Sequence, residues 1–228
     1  MTRALFIAGA HTDIGKTHVA CALIRAARAA GQTVAALKPV VSGFDPADWA
    51  ASDPGRLLAA LGREPTPAAL AEISPRQYAA PLAPPMAARL EGETLGLADL
   101  VEPARAWIAD STADLALIEG AGGVMSPLAE DGTNLDLMVA LRLPSVLVAG
   151  GYLGTISHTL TALAVLRVDR VEPLAVVVSA SADPDAPDFA ETVESIRTFA
   201  GGVPVVAAPR GGDEAWADEL LALVSAGA

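Results

Sequence analysis

The chain has little cysteine, little histidine and little positive charge: one Cys, three His and 15 Lys+Arg against 27 Asp+Glu in 228 residues. The lone Cys21 excludes an intramolecular disulfide, and no Cys/His cluster has the spacing of a zinc site. The formal charge of −12 argues against a general nucleic-acid or anionic-membrane surface. A phosphate site is local and stays compatible with that charge. Long apolar runs are also missing: nothing approaches the ~18 uninterrupted apolar residues of a membrane helix, and the opening MTRALFIAGAH is too short in apolar residues for a secretory signal. With 18% charged and 52% hydrophobic residues, the chain can build a core and is too sparsely charged for disorder. The expectation is a soluble cytoplasmic protein with neither nucleic-acid nor membrane partners.

What is present is an alternation. Apolar runs at Ala4–Ala8, Thr33–Leu37, Asp114–Ile118, Ser145–Ala149, Leu174–Val178 and Val203–Ala207 read as strands covered on both faces. Between them, Lys16–Ala30, Pro54–Leu61, Leu97–Ala109, Leu135–Ala140, Ile156–Arg167, Phe189–Phe199 and Glu214–Ser225 read as helices. This predicts one α/β domain over 1–228, a parallel sheet with helices on both faces. The proline-rich stretch 62–85 breaks the rhythm as an irregular excursion, either a surface detour or a cleft wall.

The strand Ala4–Ala8 runs into Gly9-Ala-His-Thr-Asp-Ile-Gly15-Lys16-Thr17 and then a helix. That is the context of a P-loop, with Ala10 at the place of the pattern's first glycine and Gly9 before it. Backbone amides from Ile14 to Thr17 would surround a polyphosphate. Lys16 would reach its β/γ oxygens, and the Thr17 hydroxyl would ligate Mg²⁺. His18 and Cys21 fall on the first helical turns, where packing is the expected role, and His11 reads as a solvent-facing loop residue.

Mg²⁺ in such a site takes one or two carboxylates. Glu119, ending an apolar strand before Gly120, Ala121, Gly122 and Gly123, lies where ligands bind in open α/β sheets. Asp53, between Ser52 and Pro54, reads equally as a metal ligand and as a helix cap. Lys38 follows the second strand with Pro39, Ser42 and Gly43, and emerges at the same sheet edge. Gly154, Thr155 and Ser157 open a helix, either as an anion site or as a plain capped turn.

Together, Gly9 to Thr17, Lys38-Pro39-Val40 with Ser42-Gly43, Ser52-Asp53, the Pro81 to Gly92 stretch, Glu119 to Gly123 and Leu153 to His158 resemble the dethiobiotin synthetase family. The resemblance spans roughly residues 3–170 and is weak in the last quarter. It implies a seven-stranded parallel sheet, a homodimer, and a ligase of biotin synthesis that joins 7,8-diaminopelargonate, CO₂ and ATP. It implies nucleotide contacts from Asp13, Ile14, Gly15, Lys16, Thr17 and His18, with Asp53, Glu119, Gly120, Ala121 and Gly122. The metal would be held by Thr17, Asp53 and Glu119, and Lys38, Lys16 and Thr12 would serve catalysis. The diamine or its carbamate would meet Thr12, Lys38 and Ser42, and its distant carboxylate would meet Gly154, Thr155 and Ser157 of the partner subunit.

Three positions depart from the family pattern. Asp13 replaces a common glutamate, Ser157 an asparagine, and Ala180-Ser181 the Asn-Asp pair that reads adenine, which suggests relaxed nucleotide choice. The rival reading is a ParA/MinD-type regulatory ATPase. Those ATPases carry an additional lysine early in the loop, where this chain has Gly9-Ala10-His11-Thr12. An amidotransferase-type synthetase would need a glutaminase domain with a nucleophilic cysteine.

Overall fold

Six apolar segments hydrogen-bond into one parallel sheet. They are β1 (Arg3–Gly9), β2 (Val34–Leu37), β5 (Leu115–Glu119), β8 (Ser145–Gly150), β9 (Ala175–Ser179) and β10 (Val205–Ala208), in the order β10-β9-β8-β1-β5-β2. The computed structural model describes residues 2–211 and 213–227. Each of the six expected strands is present. Their side chains alternate between two cores. Leu5, Ile7, Leu117, Val146 and Val148 face one helix layer, while Phe6, Ala8, Ile118, Leu147 and Ala149 face the other.

The first layer contains α1 (Lys16–Ala29), α2 (Asp53–Leu61), α3 (Pro67–Ile73) and α9 (Ala215–Ala226). The second contains α4 (Pro84–Leu90), α5 (Ala98–Asp110), α6 (Asn134–Leu141), α7 (Thr155–Val168) and α8 (Phe189–Phe199). Burial on both faces explains why the strands are continuous apolar runs rather than alternating ones.

Two expectations need correction. The central sheet has six strands among the described residues, not seven. Pro39 has no N–H to continue the β2 ladder, the Lys38 N–H turns to Ile73 O, and the chain leaves the sheet. It forms β3 (Val40–Ser42), which pairs in parallel with β4 (Arg76–Tyr78). The stretch 62–85 is correspondingly not structureless. Thr66 caps α3 by accepting from the Ala69 N–H, with Pro67 opening the helix, and β4 follows. Seven residues of α3 and three of β4 are too short to show a period. A small antiparallel pair, β6 (Pro127–Ala129) and β7 (Gly132–Thr133), leads into α6.

Candidate active site

All six central strands are parallel, so their C-terminal ends share one edge, and β1, β2, β5, β8 and β9 deliver Gly9, Lys38, Glu119, Gly150 and Ser179 to it. A cavity of about 780 Å³ opens there. It is lined by Thr12 to His18, Lys38, Ser42, Asp53, Ala121 and Gly122, and by Ser179 to Asp183 with Pro209 to Gly211.

α1 begins at Lys16 after Gly15, whose φ of 97° places it in the left-handed region. No side chain caps this helix, so its first N–H groups face the cavity. A Cβ on Gly9 would sit 2.8 Å from Lys16 Cδ. The space the lysine needs under the loop is therefore supplied by Gly9, one residue before the pattern's usual glycine. Lys16 Nζ curls back to donate to His11 O at 3.1 Å. Burial, with Lys38 nearby as the next cause, pushes its pKa down to about 8.

Four side chains converge beside Lys16. Lys38 Nζ lies 2.7 Å from Glu119 Oε1 and 2.8 Å from Asp53 Oδ2. Thr17 Oγ1 lies 2.7 Å from Asp53 Oδ1 and 2.8 Å from Glu119 Oε1. Burial opposes the charge on Lys38, but Glu119 and Asp53 outweigh it and hold the ammonium above the usual lysine value. Burial likewise opposes the charge on Asp53, and Lys38 with Thr17 outweighs it, holding the carboxyl below its usual range. The cap half of the open choice at Asp53 is settled by its neighbour: Ser52 Oγ caps α2 through the Gly55 N–H, and the Asp53 carboxylate joins the cluster.

The cluster fits a hard divalent cation. The single Thr17 proton can satisfy only one of the two carboxylate oxygens it faces, and Glu119 Oε2 is buried without a partner. No group of three His, Cys, Asp or Glu side chains able to hold a metal occurs among the described residues. A bound Mg²⁺ would thus combine Thr17, Asp53 and Glu119 with oxygens from nucleotide and water.

The comparisons with known proteins agree with this geometry. Residues 3–208 match the AAA domain family. The chain is 61% identical over 221 residues to an ATP-dependent dethiobiotin synthetase of Phenylobacterium zucineum, covering 97% of this chain and 94% of that one. It is 57% identical to the enzyme of that name from Caulobacter vibrioides, over 92% and 94% of the two chains. The chain belongs to the dethiobiotin synthetase family.

Among solved structures, the MinC:MinD cell division protein complex of Aquifex aeolicus aligns with TM-score 0.58 at 9% identity, over 96% of this chain and 86% of that one. A ParA family ATPase from Chlorobium tepidum aligns with TM-score 0.53 at 14% identity, over 99% and 91%. At such identities these two share the fold alone with this dethiobiotin synthetase family member.

The remaining expected residues divide. Thr12, Asp13, Ile14, His18 and Ser42 line the cavity, and Asp13 adopts a left-handed φ of 56°. His18 also meets Trp216, ring centres 5.6 Å apart. Cys21 is buried, and burial pushes its thiol up to about 12. His11 is exposed as expected, yet its ring stacks on His158, which in turn bonds Tyr152 Oη at 2.7 Å.

Gly154, Thr155 and Ser157 do not line this cavity. Thr155 needs a correction: its side chain is buried and its N–H donates to Tyr152 O, so its hydroxyl does not face outward with Ser157. Sequence reasoning missed Asn134. It opens α6 inside a capping box formed by Thr133 and Asp136, and that spacing is visible in the chain.

Proposed function

We propose that this chain catalyses the ATP-driven closure of 7,8-diaminopelargonate and CO₂ to dethiobiotin, as a homodimer in the cytoplasm. One amine attacks CO₂ and sheds a proton, giving a carbamate. A carbamate oxygen takes the γ-phosphoryl group and ADP leaves. The second amine then attacks the carbonyl carbon, phosphate departs, and the five-membered ureido ring is closed. The observation that carries this reading is the Lys38–Glu119–Asp53–Thr17 cluster beside the phosphate loop.

Lys16 and Lys38 neutralise charge at the transferring phosphoryl group, where preorganised electrostatics supply most of the rate. The N–H groups from Ile14 to His18 hold the polyphosphate. Thr12 and Ser42 hold the diamine end. Thr17, Asp53 and Glu119 would hold Mg²⁺, which would supply charge neutralisation for the phosphate oxygens.

The site is completed across a dimer: Gly154 and Ser157 of one subunit receive the distant carboxylate of a diamine seated in the other. Two features support this. The helix α7 N-terminus stands outside the cavity of its own chain, and Leu153 beside it is 87% exposed. The likeness to MinD and ParA proteins is limited to the fold, so the partitioning-ATPase reading has no separate observation in its favour.

The test is mass detection of dethiobiotin and of ADP with Mg·ATP and bicarbonate, with and without the diamine. Diamine-dependent product that disappears in Lys38→Ala is the expected result. Diamine-independent ATP hydrolysis without product overturns the reading.

A further inference from the structure

The loop after β5 owes its shape to one side chain that neither strand nor loop contributes. Asn134 is 2% exposed, and its Nδ2 donates to Ala121 O at 2.5 Å and Gly123 O at 2.9 Å. Two carbonyl acceptors require the nitrogen of the amide at this position, which fixes its orientation chemically. Its Oδ1 is turned inward, without a partner, to where a Cβ on Gly120 would come within 2.5 Å.

A trans peptide points its C=O and N–H in opposite directions. The Gly123–Val124 peptide illustrates this: the carbonyl is held by Asn134 while the Val124 N–H reaches Gly9 O at 2.8 Å. By the same geometry, capture of Ala121 O by Asn134 turns the Gly122 N–H away from the core. Ala121 and Gly122 line the cavity, and the Gly122 N–H has no acceptor among the described residues. A Cβ on Gly122 would lie 2.6 Å from Ser126 Oγ and 3.6 Å from Thr12 Oγ1, which sets this residue beside the phosphate loop.

We infer that Asn134 is a positioning residue for catalysis: by holding the Ala121 and Gly123 carbonyls, it aims the Gly122 N–H at the phosphoryl group in transfer. The inference rests on the proposed reaction, since it names a donor for that step. A preorganised backbone donor of this kind contributes about 10²–10³-fold in kcat. Its loss affects turnover more than binding, because the group it meets carries new charge only during transfer.

The test uses the full-length protein with Asn134→Ala and the isosteric Asn134→Asp, which sets a carboxylate against two carbonyl oxygens. In both, kcat for dethiobiotin formation should fall about a hundredfold or more. The ADP dissociation constant and the KM for the diamine should stay within about threefold, a split that general loosening of the site would not give. In the wild-type protein, the Gly122 amide nitrogen resonance should shift when a non-hydrolysable ATP analogue replaces ADP. A kcat near the wild-type value, ADP affinity falling in step with kcat, or an unmoved Gly122 resonance each overturns the inference. If the variants do not fold, the Gly122 resonance decides it alone. Wild-type protein that makes no dethiobiotin defeats the functional reading instead.

Discussion

Lys38 has a side chain only 3% exposed and stands between Glu119, 2% exposed, and Asp53, 36% exposed. Removing it leaves two carboxylates facing each other, one deep in the protein. Breaking a buried pair costs about 3–5 kcal/mol, and the lower end applies because Asp53 reaches solvent. Lys38→Met should thus lose about 3 kcal/mol of unfolding free energy in chelator and recover part of it in Mg²⁺. Its turnover should fall at least ~100-fold. Denaturant midpoints in chelator equal to wild type would defeat this account.

Ala180 and Ser181 line the same cavity, at the positions where the family resemblance implies an Asn-Asp pair that reads the base. Ala180 O accepts from Arg210 Nε, and Ser181 Oγ accepts from the Asp183 N–H. Neither side chain can present the paired donor and acceptor of an asparagine. Competition assays should find GTP, CTP and UTP within about tenfold of ATP, since one bidentate base contact is worth roughly 1–3 kcal/mol. A hundredfold ATP preference would show that the backbone reads the base.

Among the elements, α6 shows how local chemistry fixes the glycine loop after β5. Thr133 accepts from the Asp136 N–H while Asp136 accepts from the Thr133 N–H and hydroxyl. This closes the first turn and places Asn134 under the glycine loop. Thr133→Ala should cost about 1 kcal/mol in urea unfolding. The bonds from Thr133 hold the Asp136 carboxyl below its usual 3.8.

A depressed folded pKa gives stability that is complete above the unfolded value and is lost as pH falls through the folded one. The difference between Thr133→Ala and wild type should accordingly be full at pH 7 and shrink toward pH 3. A difference independent of pH would assign the loss to the cap bond from the Asp136 N–H rather than to the hydroxyl bond on its carboxylate. Gly120→Ala belongs to the same element pair. Its Cβ would meet Asn134 Oδ1 at 2.5 Å and the Phe6 ring at 3.1 Å, both buried, so turnover should collapse even where the variant folds.

For the whole molecule, the proposed shared site makes a quantitative claim about mixing. Ser157→Asp sets a negative charge on an exposed first turn of α7, and Lys38→Ala disables the opposite half of the site. In a mixed dimer one of the two sites draws both halves from unaltered residues. Co-refolded one to one, two inactive variants should recover about a quarter of wild-type activity, because half of the dimers are mixed. No recovery, with mixed dimers verified by mass, would place the whole site within one chain.

The sequence by itself determined the six strands, the phosphate loop and the residue types of the charged cluster. Burial on both faces demands continuous apolar runs, and Gly15-Lys16-Thr17 between strand and helix has few other uses. It could not decide whether Asp53 itself caps its helix. That required knowing that Ser52 caps α2 and that Thr17 and Lys38, distant in the chain, stand within 2.8 Å of its carboxylate. It misread 62–85 because a seven-residue helix and a three-residue strand carry no period. It placed Thr155 with Ser157 although residues two apart on a helix are rotated by about 200°, one into the core and one outward. Asn134 escaped notice because its role consists of two carbonyls 11 and 13 residues away, brought to it only when β5 and α6 pack. Periodicity and local motifs act between neighbours in the chain and are legible there. Which side chain satisfies which buried group depends on contacts across the fold, and only the tertiary structure decides them.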